Sequence, residues 1–432
     1  MMYGLVSRLG VVKPALILAG LLLVDSAFSQ TCSEADLSFG LGTNNLEPVD
    51  NVTTADPTGN YGVGITIKTY CSGDQNLTVS IWYPATPEDG SSPYVSSGGI
   101  VGQAYEDASF DSSGGPYPLI VFSSGLAAVH DAYYFYVQNL VSHGYIVTSA
   151  QHLDARHATT TTNTTLLLIA AVDALAGNTN DAVITSYTDW FRETEYAFTY
   201  RPQEIKFNLD QTLALNDDAS SIFYGNIDTE NIGMTGHSLG GFMTNFIGGG
   251  AGIYCDYVML IGENNPENPL LANVSPCAFD SVQNLSSPSA LHDSRIKAII
   301  PLAAPSFIVK RQIARSAADI QIPLMVMTGD NFTSETTESI QELVYNNTEG
   351  PAFWVQIQDA DHFLVGESYG LNPNLALIGG EDMVNFTDKA LVYMVYSAAF
   401  FNYYIKGNTT AFDVLQTNLS SFVEDLKWRN VD

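Results

Sequence analysis

Basic residues are scarce in this 432-residue sequence: 16 Lys and Arg stand against 46 Asp and Glu, a formal net charge of −30. A nucleic-acid surface needs clustered cations to replace the counterions it releases, and so few cannot assemble one. Nucleic acid is therefore excluded as a partner, and anionic membranes are repelled by the same charge. Long apolar runs are also missing. The stretch from Ala15 to Val24 is about half of the ~20 residues that cross a bilayer. It follows Arg8 and Lys13 and precedes Ala27-Phe28-Ser29, which reads as a secretory signal peptide over residues 1–29. The tail Asp425–Asp432 is too polar for a lipid-anchor signal, so no stable membrane anchor is expected. Metal-ligand spacing is absent as well. His152, Asp154 and His157 lie close together, but no H-E-x-x-H pair or Cys-His spacing supports them, so neither a metal nor a cofactor is expected.

Cysteine is rare, with four in the chain: Cys32, Cys71, Cys255 and Cys277. An even count behind a signal peptide points to two disulfides in an oxidising compartment. Three pairings are possible, and nearness in sequence favours Cys32–Cys71 with Cys255–Cys277. Ten N-x-S/T sequons, at Asn51, Asn76, Asn163, Asn273, Asn284, Asn331, Asn346, Asn385, Asn408 and Asn418, fit a secreted, extracellular glycoprotein.

The most informative segment is Ile232–Gly241. A short apolar strand runs into Gly236-His237-Ser238-Leu239-Gly240, and an apolar helix start follows at Phe242. That is the G-x-S-x-G nucleophile elbow, in which small neighbours let a serine sit on a sharp strand-to-helix turn. Ser238 is the candidate nucleophile. A serine needs a base to take its proton, and chain order behind this elbow is Ser, acid, His. Of the seven histidines only His292 and His362 come later. His292 lies in a polar stretch before a strand. His362 follows the apolar run Ala352–Ile357, where an imidazole can reach back over the sheet edge, so His362 is the candidate base.

Asp330, directly after the glycine that closes the strand Pro323–Thr328, is the candidate acid, with Glu335 as the alternative. A turn-forming Asp would look the same. The oxyanion hole needs two backbone N–H groups. Leu239 supplies one, and Leu126, with Gly125 beside it, ends the earlier buried strand and supplies the other. Tyr133-Tyr-Phe-Tyr136 can line an apolar ester pocket or form the core face of a helix.

Eight strands are predicted: Tyr61–Tyr70, Thr78–Tyr83, Leu119–Ser123, Tyr145–Ser149, Asn231–Thr235, Lys297–Leu302, Pro323–Thr328 and Phe353–Gln358. Helical runs separate them from the third onward, which predicts an α/β fold with a mostly parallel sheet covered on both faces. The first two form an antiparallel start. Residues 30–432 are expected to be one domain, with insertions at about 154–200 and 248–293 that shape the pocket.

The segments Pro118-Leu-Ile-Val-Phe-Ser-Ser-Gly-Leu126, Leu140–Val147 with Gln151-His152, Val79–Pro84, Arg201–Asp210 and Gly236–Gly241 resemble the platelet-activating-factor acetylhydrolase and dienelactone-hydrolase-like group of α/β-hydrolases. The resemblance runs from about Tyr61 to the C-terminal helix. It implies an α/β-hydrolase fold and a secreted serine esterase that cleaves small-molecule or lipid esters, short-acyl phospholipids among them, through an acyl-enzyme. It also implies His152 near the pocket at a strand end. Two positions depart from the group. Ser124 stands where members usually have His, and Ala303 where members like the animal plasma enzyme carry the acid; the second departure moves the acid to Asp330. A cutinase-like polyesterase is the alternative enzyme, and a non-catalytic hydrolase-fold binding module the alternative from another class. Ser238 in place of cysteine disfavours dienelactone hydrolysis proper.

Overall fold

The computed structural model describes residues 52–72, 75–126, 128–153, 200–250, 291–304, 316–330, 335–362, 364–366 and 385–431. The segment predicted as a signal peptide, Cys32, Cys255, Cys277 and nearly all of both predicted insertions lie outside them, as do the sequons at Asn51, Asn163, Asn273, Asn284 and Asn331. Four of the remaining sequon asparagines, Asn346, Asn385, Asn408 and Asn418, are exposed.

Thirteen strands are present among these residues. Two of them, β1 (Val52–Thr53) and β4 (Ile100–Val101), pair apart from the rest. The main sheet contains β2 (Gly62–Ser72), β3 (Gln75–Thr86), β5 (Ala104–Glu106), β6 (Ser109–Phe110), β7 (Tyr117–Ser123), β8 (Ile146–Ala150) and β9 (Ile227–His237). It is completed by β10 (Ile296–Leu302), β11 (Leu324–Gly329), β12 (Ala352–Ile357) and β13 (Val423–Arg429). Their order is β13-β12-β11-β10-β9-β7-β8-β3-β2-β5, with β6 beside β3. The six strands from β8 across to β12 are mutually parallel, and β2, β3 and β13 run antiparallel to their neighbours β3, β8 and β12. This is an α/β-hydrolase architecture.

All eight predicted strands are present, and the sheet is wider than eight. The additions are β5 and β6, too short to give a hydrophobic signal, and β13. The last mixes apolar and charged residues in Val-Glu-Asp-Leu-Lys-Trp-Arg, and of these only Val423 is buried, which suits a charged edge strand.

The central strands are fully buried: β7, β8 and β11 hide every residue. They read as continuous apolar runs because helices cover both faces. One face packs against the helices Tyr134–Ser142 and Phe386–Tyr404, through Phe122, Tyr136, Met327 and Phe400. The other packs against a helix over residues 200–214 and the helix Leu239–Ile247, through Val121, Leu209, Met234 and Met243. The chain goes from β7 to β8 on one side and returns to add β9 on the other. The sheet therefore reverses its winding between β7 and β9, where α/β folds open a crevice at the strand C-termini.

Candidate active site

Ser238 stands at that crevice. Its backbone has φ 53° and ψ −122°, a left-handed turn that a serine occupies only under constraint. The constraint is visible. The Ser238 N–H donates to the Leu302 carbonyl at 3.0 Å, and the Ser238 carbonyl accepts from Phe242 N–H at 2.9 Å. Any side chain at Gly240 would collide with the Ser123 carbonyl, so only glycine lets the elbow close against β7.

His362 is carried by the loop after β12. Its Nε2 lies 2.9 Å from Ser238 Oγ, which brings nucleophile and base candidates into hydrogen-bond contact. Four ties hold this loop. Gln358 N–H donates to Phe422 O at 2.8 Å, and Lys389 Nζ reaches Asp359 O. The His362 carbonyl lies 2.7 Å from His237 Nε2, and the Asp359 N–H donates to the Asp330 carboxylate. Burial pushes the His362 imidazole well below its ordinary value, and the His237 ring beside it adds to the shift. The ring is therefore neutral at pH 7, the form a general base requires.

Asp330 follows β11 directly, and its N–H donates to Ile357 O at 3.1 Å at the end of β12. Gly329 makes this approach possible, because a side chain there would strike Ala360. Burial raises the Asp330 carboxyl above its ordinary value. Its Oδ1 is buried and accepts no hydrogen bond. No hydrogen bond joins Asp330 to His362 among the described contacts. Glu335 opens the helix Glu335–Asn347. Ala303, with φ 42°, keeps a turn after β10 but offers no carboxylate. His292 lies before β10, at the opposite end of the sheet, where Lys206 Nζ donates to its carbonyl.

The oxyanion candidates flank Ser238. Leu239 is the first residue of the helix Leu239–Ile247, where backbone N–H groups have no intrahelical partner and a partial positive charge collects. Across the crevice, a Cβ at Gly125 would stand 3.4 Å from Ser238 Cβ, so the loop after β7 reaches the nucleophile. The Gly125 N–H is taken by the Tyr133 hydroxyl at 2.7 Å. The N–H of Leu126 donates in none of the described hydrogen bonds.

A side chain whose role sequence reasoning missed sets this loop. Arg201, buried completely, donates from Nη1 to Ser124 O at 2.5 Å and from Nη2 to Gly125 O at 2.8 Å. In a trans peptide the N–H points opposite to the C=O. Holding both carbonyls therefore turns the N–H groups of Gly125 and Leu126 away from Arg201. Ser124 Oγ donates to Ala128 O at 3.1 Å. Beside it, the buried His152 bridges Ser123 Oγ and Glu204 Oε2, each at 2.9 Å, which occupies the one described member of the His152/Asp154/His157 group. Arg201 was legible only as part of the resembling segment Arg201–Asp210, because a clamp on carbonyls depends on backbone direction rather than on residue spacing. Replacing Arg201 by Leu strands two buried carbonyls and should cost at least about 3 kcal/mol, read as a lower urea midpoint at constant m-value. Arg201→Lys, which keeps a cationic donor but loses the two-nitrogen fork, should recover part of that loss.

Buried neutral histidines also set how stability depends on pH. Burial lowers His130, His237 and His362, with His237 held at about 4. In the unfolded chain each returns to an ordinary value near 6.5. Their contribution is thus complete above pH 6.5 and is lost as the pH falls toward the folded values. The loss should approach ~1.4 kcal/mol per pH unit for each histidine in that window. Urea midpoints at pH 7.5, 6 and 5 measure it, and His237→Gln should flatten the slope by about one proton.

Residues 93–166 match the family model for platelet-activating factor acetylhydrolase, isoform II. That window contains β7, the loop after it that carries the oxyanion candidate Leu126, the helix Tyr134–Ser142 and β8. Among solved structures, a ferulic acid esterase from Streptomyces cinnamoneus is similar at 16% identity, with a TM-score of 0.54, over 88% of this chain and 100% of that one. Some 418 solved chains match, so the fold is widely shared and does not single out a substrate. No curated protein matches in sequence. The chain thus resembles α/β-hydrolase esterases of the platelet-activating-factor acetylhydrolase kind.

Proposed function

We propose that this chain is a secreted, glycosylated serine esterase that cleaves short-acyl lipid or small-molecule carboxylic esters through an acyl-enzyme. The observation that carries this reading is the 2.9 Å contact of Ser238 Oγ with His362 Nε2, on a strained elbow at the switch point of an α/β-hydrolase sheet. His362 takes the Ser238 proton as Oγ attacks the ester carbonyl. The N–H groups of Leu239 and Leu126 receive the negative charge that develops on the carbonyl oxygen. The protonated His362 then gives its proton to the leaving alcohol, and water repeats the sequence on the acyl-enzyme. Asp330 is the acid in this reading: its Oδ1 accepts a hydrogen bond from the Nδ1–H of His362, stays ionised and stabilises the imidazolium.

The family match over the oxyanion region supports lipid esters with short acyl chains. A panel of p-nitrophenyl esters from C2 to C16, run beside short-acyl phospholipids, tests the reading. Preference for C2–C4 and for the phospholipid supports it. Preference for long or polymeric esters favours a cutinase-like polyesterase instead. No turnover of any ester would leave a binding module.

A further inference from the structure

Between the oxyanion loop and the base runs a chain of hydrogen bonds whose direction is fixed at both ends. The Gly125 N–H can only donate, and it gives its proton to the Tyr133 hydroxyl oxygen at 2.7 Å. The His362 carbonyl can only accept, and it lies 2.7 Å from Nε2 of His237, so Nε2 carries the hydrogen. A neutral imidazole protonated at Nε2 has its lone pair on Nδ1. The Tyr133 hydroxyl, 3.1 Å from that nitrogen, must then donate to it. Tyr133 and His237 are 1% and 2% exposed, so water offers neither an alternative partner. Burial keeps the His237 ring neutral, as this pattern demands.

We propose that Tyr133 and His237 form a positioning relay that ties the oxyanion loop after β7 to the backbone of the base after β12. The proposal rests on the serine-esterase reading above, in which neither residue touches the reacting atoms. The need for such a tie follows from the sheet order. β9, β10 and β11 separate β7 from β12, so the oxyanion donor and the base arrive from distant loops. Left independent, each loop would set its own distance to Ser238, and a misplacement of about 1 Å costs on the order of 10²-fold in rate. His237 precedes Ser238 in the chain, so the relay refers both loops to the elbow itself.

Four variants assayed on a short-chain p-nitrophenyl ester test this: Tyr133→Phe, His237→Gln, His237→Asn and the double Tyr133→Phe/His237→Gln. Gln places an N–H near the position of Nε2 and keeps the bond to His362. Asn places an acceptor near Nδ1 and keeps the bond from Tyr133. Each single change should lower kcat by roughly 10- to 100-fold with KM changed by less than about twofold. The double variant should lose no more than the worse single, because breaking one link already uncouples the loops. Additive losses, or an unchanged kcat in Tyr133→Phe, would overturn the relay.

Should a variant not fold, wild-type protein labelled with 15N-histidine still decides the matter by long-range NMR correlation. The relay requires a neutral His237 with its hydrogen on Nε2 near pH 7, and an Nδ1–H tautomer refutes it. Wild type that hydrolyses no ester, or whose Ser238 ignores fluorophosphonate, sinks the esterase reading instead; the tautomer result still judges the hydrogen-bond chain.

Discussion

Ser238→Ala is expected to lower kcat for any ester substrate by roughly 10⁴-fold or more while the fold stays intact. The hydroxyl is small and points into the crevice, and the elbow is held by backbone contacts that alanine keeps: Ser238 N–H to Leu302 and Ser238 carbonyl to Phe242. Far-UV circular dichroism and the urea midpoint should therefore match wild type. The loss belongs to the chemical step, because without Oγ the His362 imidazole has no attacking group to deprotonate. Residual turnover would come from water and the oxyanion donors alone. A fluorophosphonate probe should label the wild type at Ser238 and leave the variant unlabelled. Undiminished turnover in Ser238→Ala, or labelling at another serine, would overturn the mechanism. Ser123 is the informative control, since it too contacts a histidine that contacts a carboxylate. That trio is buried at the C-terminal end of the central strand β7, so Ser123 should stay unlabelled.

Asp330→Asn should cost kcat on the order of 10⁴-fold. An amide in place of the carboxylate offers His362 the wrong hydrogen-bond choice. The imidazole can then turn its hydrogen toward Ser238, where a lone pair is needed. Glu335→Gln should be nearly silent. The expectation rests on placement. Asp330 abuts the base loop through Ile357 and Asp359, and its Oδ1 is buried and open. Glu335 lies further along, at the start of the next helix. A large loss in Glu335→Gln with Asp330→Asn near wild type would exchange the two roles.

Much of this organisation was legible in the sequence, and the reason is burial. Strands such as β7 and β11 hide every residue, so their apolar runs stand out against polar flanks. The elbow was legible because its backbone geometry tolerates only certain residues. His362 was legible from its place after a late strand. What escaped notice depends on backbone direction or on three-dimensional adjacency. β13 carries Glu424, Asp425, Lys427 and Arg429 and has the composition of a surface tail, yet it pairs with β12 along six registered positions. Tyr133 could be a pocket wall or core packing; in the structure its hydroxyl bonds Gly125, in the loop after β7, and His237. His237 was only the variable position of a motif. Arg201 gave no sign of a clamp, since carbonyl acceptors leave no trace in side-chain identity.

The winding reversal at β7 also has a bearing on how the chain is made. β7 and β8 emerge early and can pair at once, but the second edge of β7 waits for β9. Between Ala150 and Ile227 lies a long stretch that adds no strand to this sheet among its described residues. At ~5–20 residues synthesised per second, that edge stays open for something like 4–15 s. It is an apolar, unpaired strand edge, the kind that recruits other nascent chains. Productive synthesis should therefore depend on holdase chaperones during that interval, and misassembly should arise there rather than in the finished fold.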